Sequence, residues 1–230
     1  MPSGASLIAR MWGIVRSPRR TFQAVAAAPR WGGVLAATFA VTAATTAVAY
    51  ETAVGRLALL DQWERTAAAF GPAVDDSTYA TLLAASGQGA AYALASAAVI
   101  GPILALALAG AIRTLFGSAG HAFGFRHVLA IVAHAGVILM LRQIIAAAFM
   151  YGRETLASPL TLGVFFTTLD EASPLARLAG VVDLFVVWWI VVLATGVSVL
   201  YQRPARRVAL TFLGGYALVA AALAAAMALG

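Results

Sequence analysis

The chain has 230 residues, 62% of them hydrophobic and 10% charged, with a mean hydropathy of +0.90. A soluble domain carries about a quarter charged residues, so this composition excludes one and reads as an integral membrane protein. The lack of cysteine excludes disulfides, thiolate metal sites and cysteine nucleophiles. All cations behind the net charge of +6 are arginines set in short pieces between apolar runs, which points to anionic head groups at the cytoplasmic face of a bilayer, not to nucleic acid.

Residues 1–30 read as a basic amphipathic segment. Leu7, Ile8, Met11, Trp12 and Val15 recur at helical spacing opposite Arg10 and Arg16. Ser17 before Pro18 reads as an N-cap and first-turn proline, restarting a helix that brings Phe22 and Val25 together and stops at Pro29. Arg10, Arg16, Arg19 and Arg20 break up any leader-type apolar core, so no cleaved signal peptide is expected. The two short helices are expected at the cytoplasmic interface, anchored by Trp12, Arg16, Arg19, Arg20 and Trp31. Packing beneath the bundle is the alternative.

Residues 31–230 read as a transmembrane domain. A span needs about 20 mostly apolar residues, and five windows supply them: 33–50, 89–112, 127–150, 180–200 and 208–228. Gly101 and Pro102 in the second predict a kink and a freed carbonyl. The third, with His134, Arg142 and Gln143, is the most polar. The charges between the windows alternate. Arginines alone precede the first window, lie between the second and third (Arg113, Arg126) and between the fourth and fifth (Arg203, Arg206, Arg207). The other two connections hold most of the acids, with Glu51, Asp61, Glu64, Asp75 and Asp76 in one and Glu154, Asp170 and Glu171 in the other. The fold expected is therefore all-α, a polytopic bundle of five spans in the cell (inner) membrane, with a cytoplasmic N-terminus and a C-terminus on the far side.

The acidic connections also carry patterns. Leu57, Leu60, Trp63, Ala67 and Phe70 lie three or four apart, so the first helix is expected to continue outward or to bend onto the membrane surface. Residues 160–169 are too few to span and read as interfacial or re-entrant.

An ionisable group inside a bilayer costs about 2.5–3.5 kcal/mol on insertion scales, so such a group faces a partner or water. Counting inward at ~1.5 Å per residue, Arg142 and Asp183 fall about one turn apart in depth, a gap an arginine can snorkel across. An Arg142–Asp183 ion pair joining the third and fourth spans is therefore expected. His127 and His134 share a helix face, with His121 before them, but no cysteine, HExxH or paired carboxylate completes a site, so no metal or other cofactor is expected. No phosphate loop or nucleophile elbow occurs, which leaves no positive sign of an enzyme. Ala217, Ala221 and Ala225 permit close helix packing, within the chain or against a second copy or another membrane protein.

The order of three segments carries a resemblance: SPRRTFQAVAAAPRW near the amino end, FRHVLAIVAHA at the third span, and DLFVVWWIVVLATGVSVLY leading into QRPARR. They resemble the Yip family (Ypt/Rab-interacting proteins) of multi-pass membrane proteins, in its bacterial form. The most specific part is D-L-F-x-x-W followed by a glycine, matched by Asp183, Leu184, Phe185, Trp188 and Gly196. Arg142 departs from the apolar or proline-containing stretch the resemblance would place there. The resemblance implies five helices with a cytoplasmic amino-terminal region and, in eukaryotic members, roles in vesicle traffic through Rab-type GTPases and in membrane shaping. The GTPase partner is not carried over, because the soluble extension those members use is nearly absent here. A non-enzymatic membrane scaffold or membrane-organising, trafficking-type factor is expected. A small transporter or channel with a polar site around Arg142 and Asp183 is the alternative.

Overall fold

The computed structural model describes residues 6–70, 74–117, 123–153, 160–166 and 174–229. Among them the chain forms α1 (Leu7–Arg16), α2 (Pro18–Ala27), α3 (Gly32–Glu51), α4 (Ala53–Phe70), α5 (Asp76–Ser86), α6 (Gly89–Phe116), α7 (Phe125–Ala135), α8 (Val137–Arg153), α9 (Pro174–Val181), α10 (Leu184–Tyr201) and α11 (Ala205–Leu229). A single 3-10 turn covers Leu162–Phe165. Five stretches are long and apolar enough to cross a membrane: Gly32–Glu51, Gly89–Phe116, Phe125–Phe149, Leu184–Tyr201 and Ala205–Ala225. The protein is an all-α polytopic bundle.

Two spans differ from their hydropathy windows. Residues 180–181 finish α9, and Val182 and Asp183 stand outside both neighbouring helices, so the fourth span starts at Leu184. Hydropathy misses this break because the residues on either side of Asp183 are equally apolar. The third span is two helices, α7 and α8, joined at the single residue Gly136. Elsewhere α6 continues through Pro102 as one helix. Gly101 beside it has a packing role, since a Cβ there would lie 2.8 Å from the Phe39 ring.

The chain folds as two compact units, residues 1–41, 97–141 and 185–216 in the first and 42–96, 142–184 and 217–230 in the second. In the first unit α7 lies at the centre, with every residue from Val128 to Ala135 buried. Ile14 of α1 and Phe22 and Val25 of α2 join it in one core with Val192, Leu193 and Val197 of α10. The amphipathic pattern thus folds the two basic helices onto the bundle, and burying Ile14 and Phe22 out of water contributes roughly 1.5–3 kcal/mol each. Ser17 stands at the N-cap position of α2 but makes no side-chain cap bond. Its carbonyl instead accepts from Thr21 Oγ1 at 3.1 Å.

In the second unit the stripe on residues 57–70 forms α4, set off from α3 by Thr52. Leu59 and Leu60 are buried there while Leu57 is exposed, so the buried face is rotated from the one the spacing picks out. Helix α5 is an element the hydropathy does not foresee. Asp75 caps it, accepting from Thr78 N at 2.8 Å and Ser77 Oγ at 3.0 Å. These bonds favour the ionised form and hold the Asp75 carboxyl below the usual carboxylate range.

Candidate functional site

The D-L-F segment lies where α9 ends and α10 begins. Thr161 and Asp183 form an antiparallel bridge, with Leu162 N donating to Val182 O at 2.9 Å and Leu184 N to Leu160 O at 3.0 Å. Backbone groups left open by the helix break are thereby paired within the protein, as a low-dielectric setting demands. Asp183 is the residue immediately before α10, where the helix dipole favours negative charge. Its side chain is 7% exposed, and Oδ2 accepts from Arg142 Nε of α8 at 2.7 Å. The Arg142 side chain keeps 32% exposure. Beside it Gln143 Nε2 donates to Thr46 Oγ1 at 2.9 Å, and Thr46 Oγ1 donates on to Thr42 O at 2.9 Å. Arg142 and Gln143 of α8 are thus engaged with the residue before α10 and with α3. Residues 167–169 of the adjoining loop lie outside the described residues, while Val164, Phe165 and Phe166 are exposed.

The remaining motif residues lie along α10. Leu184 is exposed, and Phe185 packs on the first unit's core with its ring 5.7 Å from that of Trp188. Trp188 keeps 36% exposure while Trp189 packs inward against the core. Gly196 has a steric reason to be glycine. A Cβ there would clash with Ile131 Cγ2 and lie 3.1 Å from the Phe22 ring, so α10 approaches both α7 and α2 through this position.

Of the residues expected at the interface, Trp12, Arg16, Arg19 and Arg20 are exposed, whereas Trp31 is half-buried against the core. A second polar locus was less legible in the sequence. His134 is fully buried; its Nδ1 donates to Ala130 O at 2.8 Å, since a carbonyl can only accept, and its Nε2 has no hydrogen-bond partner. Arg10 Nε is likewise buried without one, while Nη1 of the same guanidinium donates to Arg30 O at 3.1 Å. Among the described residues no cluster of three His, Asp or Glu could hold a metal; His121 lies outside them. A cavity of about 480 Å³ in the second unit is lined by Ala44, Thr45, Val48, Ala49, Ile144 and Ala148 among others, and neither Arg142 nor Asp183 lines it.

Charge is distributed unevenly between the units. All nine acidic residues fall in the second, together with five arginines, which leaves ten arginines and no carboxylate in the first. The described residues Arg19 and Arg203 of that unit line a further cavity of about 470 Å³. A family model, the Yip1 domain, matches residues 12–228. No curated protein and no solved structure matches the chain.

Proposed function

The chain belongs to the Yip family, and within it we propose a non-enzymatic membrane-organising role, that of a scaffold held against anionic lipid. The observation that carries this reading is the first unit itself, whose ten arginines have no carboxylate among them. A surface this basic is attracted to anionic lipid head groups, whose layer favours each nearby Lys or Arg by about 1 kcal/mol. Because α1 and α2 are packed on α7 through Ile14, Phe22 and Val25, the exposed cations of the two helices are held on a folded surface. By the rule that basic connections stay cytoplasmic, the amino-terminal helices, the α6–α7 connection and the α10–α11 turn face the cytoplasm of a cell (inner) membrane, and the C-terminus lies on the far side. A second copy or another membrane protein is the partner class, through the exposed Ala217, Ala221 and Ala225 of α11.

The test is reconstitution into phosphatidylcholine vesicles containing a minor share of fluorescent phosphatidylglycerol. Local enrichment of the anionic lipid around the protein, reversed by salt, is expected. Uniform lipid at low salt would overturn the reading. A transport role draws support from the partly exposed Arg142 guanidinium. Ion flux across the same vesicles that is abolished by Arg142→Gln would favour it instead.

A further inference from the structure

The first unit contains a cavity of about 470 Å³, within the range of roughly 300–1,000 Å³ that ligand pockets occupy. It lies between α2 and the turn that joins α10 to α11, and its lining includes Arg19, Gln23, Ser198, Gln202, Arg203 and Pro204. Arg19 and Gln23 are four apart and so share one face of α2. Phe22 and Val25 of the same helix are buried in the core, while Arg19 and Gln23 are exposed. The opposing wall is also held in place. Gln202 closes α10 in the left-handed region at φ 52°, Ser198 Oγ donates to Arg203 O at 2.6 Å, and Arg203 N donates to Ser198 O at 3.3 Å.

Arg19 and Arg203 both line the cavity, and two guanidiniums there attract an anion more strongly than either does alone. Among the described residues no acidic residue lines the cavity, so an anion entering it meets no like charge on its walls. The donor set narrows its chemistry. Paired arginines match the oxygens of a phosphate with bidentate, charge-assisted hydrogen bonds, and the neutral Gln23 and Gln202 amides add donors without adding charge. We infer that this cavity is a binding site for a phosphate group, presented by an anionic lipid head group or free in solution. The inference deepens the proposed lipid reading by naming the group that the basic unit holds.

Binding is measured on the full chain in neutral detergent, as the shift in thermal midpoint against concentration of dioctanoyl phosphatidic acid or of inorganic phosphate. Arg19→Gln with Arg203→Gln is compared with Arg16→Gln with Arg206→Gln, which removes the same charge away from the cavity. The expected result is a loss of affinity of about tenfold or more for the cavity pair and under about twofold for the control. Gln202→Gly, which suits the left-handed backbone and so preserves the turn, is expected to weaken binding without lowering the ligand-free midpoint. Stabilisation by the lipid alone assigns a membrane source, and equal stabilisation by inorganic phosphate assigns a soluble one. Equal losses in the two double variants, or no loss in either, would overturn the site. Failed lipid enrichment in vesicles with this binding intact would sink the scaffold reading alone.

Discussion

At Asp183 a carboxylate 7% exposed meets a guanidinium that is still a third exposed, so removing the acid leaves Arg142 partly able to find water. Asp183→Asn is therefore expected to cost stability near the lower end of the roughly 1.5–3 kcal/mol that hydrogen bonds to charged groups contribute. The check is the thermal midpoint in detergent, where an unchanged value would deny the pair a structural role. Arg142→Asp combined with Asp183→Arg is expected to recover part of what either single change loses; a double variant no better than the singles would contradict the pairing. The sequence shows the cost of each charge in an apolar run, which is a local property, and depth arithmetic adds that the two lie at similar levels. It does not show the Thr161–Asp183 bridge, because that depends on two distant backbones meeting. Nor does it show the Arg19–Arg203 cavity, whose walls lie far apart in the chain.

Among the elements, α10 meets α7 and α2 at Gly196, where Ile131 Cγ2 is a stiff β-branched methyl. Gly196→Ala should lower stability by about 1–3 kcal/mol through overpacking. Gly214→Ala on α11 meets nothing within 4 Å and should be neutral or stabilising by up to about 1 kcal/mol. Equal effects in a thermal melt would refute the close approach at Gly196. Helix α5 is expected to respond to pH. Its cap, Asp75, has a folded-state pKa below the unfolded one, so the cap's contribution is complete above the ordinary carboxylate pKa and is lost as pH falls through the folded value. A spin label at Ala84→Cys, unique in a cysteine-free chain, should become more mobile over that acidic interval. The same label with Asp75→Asn, a good cap that does not titrate, should show no such step. Equal pH responses would remove Asp75 as the cause. The five spans were legible because length and hydropathy are nearly sufficient signals for crossing a bilayer. The α9–α10 break and helix α5 were not, since one is set by tertiary backbone pairing and the other by a cap outside any apolar stripe.

At the scale of the whole molecule, burial separates the spans: 61% of the third span's apolar window is buried inside the protein against 11% of the fifth's. The third is therefore the most buried of the five and the fifth the most exposed. The proposed orientation puts the basic connections, with α1, α2 and the Arg19–Arg203 cavity, on the cytoplasmic side. Single cysteines at the exposed positions Ala28, Thr81 and Arg206, reacted with a membrane-impermeant maleimide in intact and in lysed cells, test it most directly. Thr81→Cys is expected to label in intact cells, while Ala28→Cys and Arg206→Cys label only after lysis. Labelling of all three from the same side would contradict it.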